Sequence, residues 1–251
     1  MIRSITVATL VLAAAAAVAS GCNIVEGGPG HAEEQPLYRT ATEGAPTSGE
    51  RGNMKINEVN WAGSVDDEGN WDPGDVFIEL QNKHPRPINV SRWHLQVEGD
   101  FEDSYRIPNV QEPIQPNGYF VIAAKPNGAF ADEADVFIED LRLGKKYLEL
   151  ELQGADRELM DGAGSTEERV FAGGYDGKTV RSMERVQLLF GDEGGLSANW
   201  HAFSGILRSD GTVVHDGLET VSEGYRDNTL ATPGAANSRD YSGSTSAGGF
   251  E

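Results

Sequence analysis

The sequence predicts an all-β domain, and the pattern of its strands favours a β-sandwich. Apolar and polar residues alternate, as in Leu148, Leu150 and Leu152 with glutamates between them, and a period of two indicates a strand with one buried face. The 31 Gly and 11 Pro residues, against four Met, indicate many turns and few long helices. About seven to nine short strands separated by turns are typical of a sandwich.

The candidate strands follow one another along a single domain, residues 54–240. Turn sequences separate them, among them Asp161-Gly162 and Asp176-Gly177, because Asp and Gly adopt tight-turn conformations readily. The candidate strands are Lys55–Trp61, Val76–Gln81, Trp93–Val97, Tyr105–Ile107, Tyr119–Ala123, Leu148–Leu152, Ser182–Phe190 and Trp200–Ser204.

The N-terminus has the pattern of a secretory signal. Arg3 is followed by an uncharged, Ala-rich stretch from Ile5 to Ala19, which matches the charged and apolar regions of a signal peptide. The stretch is shorter than the about 20 apolar residues that a transmembrane helix needs. The sequence therefore predicts a signal peptide over residues 1–21.

A cysteine follows the predicted cleavage site. The residues Ala19-Ser20-Gly21-Cys22 resemble the lipobox of bacterial lipoproteins, in which small residues precede a cysteine that is lipidated and then exposed by cleavage. The resemblance implies that Cys22, the one cysteine of the chain, carries the lipid. The alternative is ordinary signal cleavage that leaves Cys22 as a free thiol.

Two polar segments flank the domain. Residues 22–53 are rich in Gly, Pro, Glu, Thr and Ser, and such a composition cannot bury enough apolar surface to become ordered. We therefore expect a flexible tether between the anchor and the domain. The Ser- and Gly-rich residues 241–251 are predicted to be a disordered tail.

Acidic residues dominate the charge of the chain. Removal of residues 1–21 leaves 19 basic and 40 acidic residues, a net charge of −21. Such a surface repels phosphate backbones and anionic lipid heads. Nucleic acid is therefore not an expected partner. The expected partners are the membrane, through the lipid anchor, and a protein or polymer of the cell envelope.

Six segments of the domain occur in a recognisable order. They are Lys55–Val59, Asp75–Asn82, Ile88–Leu95, Ile114–Ile122, Ser182–Val186 and Ala231–Ser238. In this order they resemble the lamin-tail domain, an immunoglobulin-like β-sandwich found at the ends of nuclear lamins and in many bacterial secreted proteins. The resemblance implies that fold for residues 54–238. Two segments, Gly154–Val180 and Leu196–Thr229, are longer than the core of the family requires and are expected to be loop insertions or to form an extra hairpin.

Four residues of the matched strands are expected to be structural. Trp93 supplies a large apolar area at the start of a strand and is expected in the core. Glu58 and Glu79 are expected to form a carboxylate pair around the Arg185 guanidinium. The alternative is a catalytic carboxylate pair, as in glycoside hydrolysis, whereas the lamin-tail resemblance implies framework positions.

The connection between the first two candidate strands is strongly acidic. Asp66, Glu68, Asp72 and Asp75 concentrate oxygen ligands there, as extracellular calcium loops do, and they are the candidate ligands of a Ca²⁺ ion. The alternative is a solvated acidic connection. Trp71 within it is then a candidate for an exposed contact residue.

Motifs of common enzymes are missing from the sequence. It contains no nucleophile elbow, zinc-protease helix, phosphate loop or dinucleotide fingerprint. The expected protein is therefore not an enzyme but a lipid-anchored protein of the outer membrane or cell surface, whose lamin-tail-like domain binds a partner or has a structural role. The alternative is a secreted or surface hydrolase or carbohydrate-acting enzyme whose site lies in the insertions.

Overall fold

The computed structural model of this protein describes residues 51–186, 193–207, 213–214 and 219–239. Cys22, the predicted signal peptide, the predicted tail and residues 22–50 of the predicted tether lie outside the described residues. Within the described ranges the regular structure consists of β-strands and short 3-10 turns, so the predicted all-β class is confirmed. None of these ranges holds a helix long and apolar enough to span a bilayer.

The strands are short, and many have only two residues. A 3-10 helix, Ser197–Asn199, precedes the fourteenth strand. In chain order the strands are β1 (Met54–Asn60), β2 (Ser64–Val65), β3 (Trp71–Asp72), β4 (Phe77–Asn82), β5 (His94–Gly99), β6 (Asp103–Arg106), β7 (Tyr119–Ala123), β8 (Val136–Phe137), β9 (Leu148–Gln153), β10 (Leu159–Ser165), β11 (Gly174–Tyr175), β12 (Val180–Arg181), β13 (Met183–Arg185), β14 (Trp200–Ala202), β15 (Ile206–Leu207), β16 (Val213–Val214) and β17 (Thr229–Leu230).

Two sheets form the body of the domain. The larger sheet has six strands in the order β14-β13-β1-β4-β7-β8, and the smaller has four in the order β10-β9-β5-β6. Neighbouring strands are antiparallel except for the pair β7 and β8. A three-stranded sheet, β11-β12-β17, and the hairpins β2-β3 and β15-β16 complete the strand pairing in the described ranges.

The main apolar core lies between the two large sheets. Leu148, Leu150 and Leu152 of β9 are buried in it, while the glutamates between them are half-buried. Ile78 of β4 belongs to the same core, and Trp93, just before β5, is fully buried there. Each apolar side chain enclosed in this way stabilises the fold by about 1.5–3 kcal/mol. The result is the pair of packed sheets that the alternation predicted.

The larger sheet is also covered on its other face. All six residues of β4 are buried, whereas a sheet with one wet face buries every second residue. Residues 124–135 and 219–238 provide the cover. On this face the rings of Phe77 and Phe130 lie 4.5 Å apart in a second apolar cluster that includes Val221. Polar side chains of β1 and β4 that point this way are therefore enclosed.

An ion pair joins the two sheets where β1 extends beyond its short neighbour β13. The N–H of Ile56 donates to Asp161 Oδ2 over 2.8 Å, and its carbonyl oxygen accepts from Arg185 Nη1 over 3.0 Å. Arg185 and Asp161 are themselves paired and almost fully buried. Ile56 is in register with Leu80 of β4, and the side chains of Arg185 and Asp161 take the place of a strand partner on the β13 side of Ile56.

The two segments expected to be insertions or an extra hairpin both contain strands. Gly154–Val180 supplies β10 and β11, and Leu196–Thr229 supplies β14 and the hairpin β15-β16. The predicted turn at Asp161-Gly162 is wrong, because both residues lie within β10 and Asp161 is drawn inward by Arg185. Asp176-Gly177 does lie between β11 and β12, with Gly177 at a φ of +98°, which glycine adopts without penalty.

One predicted strand lies only partly within the described ranges. Of Ser182–Phe190, the structure contains β13, Met183–Arg185, and residues 187–190 lie outside the described ranges.

Candidate functional site

Three glutamates lie side by side on the covered face of the larger sheet. Glu58 of β1 is paired in register with Glu79 of β4 on one side and with Glu184 of β13 on the other. A bulge at Asn57 shifts the register of β1, so Ile56 faces the core while Glu58 faces the opposite side. All three glutamates are fully buried. We call Glu58, Glu79 and Glu184 the carboxyl row.

Residues 231–238, which we call the C-terminal strap, lie over the carboxyl row. The N–H of Thr232 donates to Glu58 Oε1 over 2.9 Å. The hydroxyl of Thr232 lies 3.0 Å from Glu58 Oε2 and 2.9 Å from Glu184 Oε1. A hydroxyl has one hydrogen to donate, so both contacts are satisfied when one of the two carboxyls carries a proton.

Two further strap residues bind the remaining carboxyl oxygens. The N–H of Gly234 donates to Glu79 Oε2 over 2.6 Å. Ser238 donates to Glu184 Oε2 through its N–H, over 3.1 Å, and through its hydroxyl. Gly234 has a φ of +77°, and a Cβ at that position would lie 2.9 Å from the Glu133 carboxylate. Glycine therefore allows the strap to turn closely over the sheet.

Two asparagines fix the strap to the bulge. Asn57 Nδ2 donates to Glu79 Oε1 and to Asn237 Oδ1, both over 2.7 Å. In return Asn237 Nδ2 donates to the backbone oxygens of Asn57, over 3.1 Å, and Arg185, over 2.9 Å. The polar atoms of the bulge are therefore paired although they are buried, as stability requires.

Burial raises the pKa of each carboxyl in the row. Loss of hydration raises the pKa of Glu58 to about 7. The pKa of Glu184 is raised to about 8, first by burial and then by the charge of Glu58. The same two causes hold the pKa of Glu79 well above its usual range. Because neighbouring like charges in a dry site are unfavourable, the row retains protons near neutral pH and titrates as a unit.

Arg185 does not belong to the carboxyl row, so the expected grouping of Glu58 and Glu79 around its guanidinium is not what the structure contains. Successive residues of a strand point to opposite faces, and Arg185 therefore faces away from the strap that Glu184 touches. It pairs with Asp161, and its guanidinium carbon lies 5.5 Å from the centre of the Trp200 ring.

The carboxyl row does not have the geometry of a glycosidase site. Glycoside hydrolysis needs two carboxyl groups on either side of a bound sugar. The strap lies where a substrate would have to enter, and Glu58 and Glu79 are fully buried beneath it. In this arrangement the row is a buried, hydrogen-bonded network.

An open groove of about 410 Å³ lies over β10 and the residues around the start of β1. Its lining includes the cations of Arg51 and Lys55, the carboxylates of Glu149 and Glu151, and several glycines. Lys55 Nζ also lies 3.6 Å from Asp161 Oδ1. The groove is therefore polar and mixed in charge.

The structure does not bring the four predicted calcium ligands together. Within the described ranges no three His, Cys, Asp or Glu side chains are grouped so as to hold a metal ion. Asp75 is buried, where its Oδ2 accepts from Ser64 Oγ over 2.6 Å and from the N–H of Ala129 over 2.7 Å. Burial raises the pKa of Asp75, while Glu68 is exposed.

The other two candidate ligands have protein partners of their own. Asp66 accepts from the N–H and the side-chain amide of Asn70, both over 2.8 Å, and these bonds lower its pKa. Asp72 pairs with Lys125 and accepts from the N–H of Gly74 over 3.0 Å. These contacts occupy Asp66 and Asp72 with donors of the protein itself.

Trp71 lies in the same acidic connection and is 45% exposed. Its ring stacks on that of Tyr175 in β11, with centroids 4.5 Å apart and planes inclined by 14°. The indole N–H of Trp71 donates to the carbonyl oxygen of Ala62 over 3.0 Å. The ring is thus fixed in place and presents apolar surface to solvent. We call Trp71 and Tyr175 the aromatic pair.

Three residues of these sites were missed in the sequence. Glu184 did carry a signal, because it follows the core residue Met183 and must therefore face the opposite side of the sheet, as Glu58 does. Asp161 was hidden by a turn-like sequence. Nothing local connects Tyr175 with Trp71, since the two rings meet only through the fold.

No protein-family model and no curated protein matches this sequence. Function is therefore inferred from the residue patterns and from the geometry of the chain itself.

Proposed function

We propose that this chain is a lipid-anchored protein of the bacterial outer membrane or cell surface, and that its sandwich is a lamin-tail-like, immunoglobulin-like module that binds a partner and catalyses no reaction. The lipobox-like residues ending at Cys22 support the anchor. The composition of residues 22–53 supports a domain held away from the bilayer. The net charge of −21 after processing favours neutral or cationic partners over polyanions.

Four of the six segments that resemble the lamin-tail domain are neighbours in space, which supports the family proposal. Lys55–Val59 lies in β1, Asp75–Asn82 contains β4, and Ser182–Val186 contains β13, and these strands are adjacent in one sheet. The closing segment Ala231–Ser238 is the strap over them. The resembling segments therefore contain the three glutamates of the carboxyl row and the strap that covers them, as is expected of residues that form the framework of the fold.

The aromatic pair is the observation that carries the binding proposal. Aromatic rings that are held rigid offer a large contact area at low cost in side-chain entropy, and they are enriched where proteins bind partners. Trp71 and Tyr175 form such a surface beside the acidic connection. A neutral or cationic polymer or protein segment of the envelope fits it, through stacking on the rings and attraction to the carboxylates.

Co-sedimentation of the full chain with isolated cell-wall material, together with capture from envelope membranes, tests this proposal. The double variant Trp71→Ala with Tyr175→Ala should bind about thirtyfold more weakly, because a central aromatic contact is worth about 2 kcal/mol. Phe137→Ala is the matched control, since Phe137 is also exposed but lies on the edge strand β8. Equal binding by the double variant and the wild type would contradict the proposal that the aromatic pair binds the partner.

The groove favours a second candidate, a hydrolase or carbohydrate-acting enzyme. Strand β10, from an expected insertion, lines it together with Glu149 and Glu151 of β9. Those carboxylates are engaged locally, with the N–H of Thr166 at 3.1 Å and with Gln153 Nε2 at 3.0 Å. If this candidate is correct, the wild type releases reducing sugars from cell-wall polysaccharide, and Glu149→Gln with Glu151→Gln stops the release. If the wild type shows no turnover, the candidate is excluded for that substrate.

A further inference from the structure

The C-terminal strap is attached to the domain through the carboxyl row and through the side chains of Asn237 and Ser238, which bond Asn57, the Arg185 carbonyl oxygen and the N–H of Ser204. Strap residues form no strand, and the N–H groups of Thr232, Gly234 and Ser238 all end on glutamate oxygens. Apolar attachment is limited, with Ala231 at the strap's beginning in the cluster around Phe77. A change in the protonation of the three carboxyls therefore changes the hydrogen bonds that attach the strap to the row.

We propose that the C-terminal strap is a pH-sensitive latch, closed while the carboxyl row shares protons beneath it and released when the three carboxyls ionise together. The N–H donors do favour the charged form of each carboxyl, yet they do not replace the hydration that three adjacent charges lose on burial. Opening the strap restores water to all three. It also costs less than separating β1, β4 and β13, because the strap has no ladder of backbone hydrogen bonds to break.

The charged groups around the row do not offset its charge at high pH. Tyr119 of β7 faces Glu79 and Glu58, whose charges together with burial raise the pKa of Tyr119. Glu133, beside Gly234, adds a further carboxyl. On β14, His201 Nε2 lies 3.7 Å from Glu184 Oε2 and can offset a charge only while the imidazole is protonated. Arg185 faces the other side of the sheet.

The direction of the effect follows from proton uptake. A glutamate in the unfolded or open state loses its proton near the ordinary pKa of 4.5. Under the strap, the pKa of Glu58 is about 7 and that of Glu184 is about 8, so both keep their protons to higher pH. Between these values the closed state binds more protons than the open state. The closed state is therefore most favoured below about 4.5 and is weakened progressively as pH rises to about 8.

Hydrogen exchange followed by mass spectrometry tests the latch in the full chain, between about pH 5 and pH 9 and with correction for the intrinsic exchange rate. The opening constant of the amides in residues 232–238 should rise about tenfold per pH unit for each proton released. Amides of β9, in the other sheet, report global unfolding, which releases the same protons, so the opening constants of the strap amides should exceed those of β9 at every pH.

Two variants assign the effect to the row. Glu184→Gln and Glu79→Gln keep the shape of a protonated carboxyl but cannot ionise, so each should reduce the pH slope of the strap amides. Glu98→Gln, on the exposed end of β5, is the matched control and should leave the slope unchanged. The proposal is overturned if the opening constants of the strap amides in the wild type do not rise with pH, or if they equal those of β9 throughout, because the strap would then open only with the whole domain; either result decides even if a variant fails to fold. It is overturned equally if folded Glu184→Gln and Glu79→Gln keep the wild-type slope.

Discussion

Glu58 and Glu79 lie directly opposite each other on the antiparallel strands β1 and β4, fully buried and without a lysine or arginine between them in the described contacts. Like charges in directly opposed positions destabilise a sheet. The pair is tolerated because protons, the amide of Asn57 and the donors of the strap take the place of a counter-ion.

We expect global stability to fall as pH rises. The folded-state pKa of Glu58 is raised to about 7 and that of Glu184 to about 8. The stabilisation that the two protonated carboxyls provide is therefore complete below about pH 4.5 and is lost as pH rises from about 4.5 to about 8. The free energy of unfolding should decline by about 1.4 kcal/mol per pH unit for each proton that only the folded state retains. Urea unfolding across this range measures it. Glu58→Gln should flatten the decline, the exposed Glu112→Gln should not, and a stability that rises through this interval would contradict the assignment.

We expect the buried ion pair of Asp161 with Arg185 to contribute more to the free energy of unfolding than an exposed ion pair does. Asp161→Asn leaves the Arg185 guanidinium without its carboxylate in a buried site, which should cost about 3–5 kcal/mol. The exposed pair of Asp103 with Arg142 is the matched control, and Asp103→Asn should cost about 1 kcal/mol or less. Denaturant midpoints of the two variants test the difference, and equal midpoints would show that Asp161 is not a joint between the sheets.

Trp93 should be one of the most costly positions to truncate. The ring is fully buried, so Trp93→Ala should destabilise the domain by about 3–5 kcal/mol. Its buried Nε1 has no hydrogen-bond partner among the described residues, so Trp93→Phe should cost less because it keeps most of the packing. Thermal or denaturant melts measure both. An unchanged midpoint for Trp93→Ala would mean that the ring is not in the core.

Cys22→Ala should abolish lipid attachment and processing at residue 21. Under the proposed function, the thiol of Cys22 in the lipobox-like sequence Ala19–Cys22 is the group that receives the lipid. Metabolic labelling with a fatty-acid probe tests this, and label that persists in the variant would rule out the anchor. The number of acyl chains is also informative, because one chain alone binds a membrane only marginally.

Calcium should leave the melting temperature unchanged. Asp66, Asp72 and Asp75 each bind donors within the protein, and a ligand raises stability only if it binds the folded chain. Melting in calcium and in chelator tests the point. A rise in calcium that Asp72→Asn together with Asp75→Asn abolishes would instead establish the site that the acidic sequence suggested.

The sequence predicted the secondary-structure elements that a local residue pattern determines. β9 was found because its leucines alternate with glutamates and only one face is buried. The predicted turn at Asp161-Gly162 was wrong because this dipeptide favours a turn locally, whereas the ion pair of Asp161 with the distant Arg185 stabilises a strand. The carboxyl row depends on the adjacency of three strands and on the bulge at Asn57, and neither is encoded by any one stretch of sequence. Two-residue strands such as β2 and β3 are too short to show a period.

The strap also has a consequence for how the chain is made. Thr232, which binds Glu58 in the first strand of the domain, is separated from it by 174 positions, and Asn237 is 180 positions from Asn57. Contacts over such separations form late and slow the search for the native state. A nascent chain therefore keeps β1 without its strap partners until Thr232 and Asn237 have been made. A chain that stops before Thr232 lacks the strap donors to Glu58, Glu79 and Glu184, so the carboxyl row of such a chain is left without its cover.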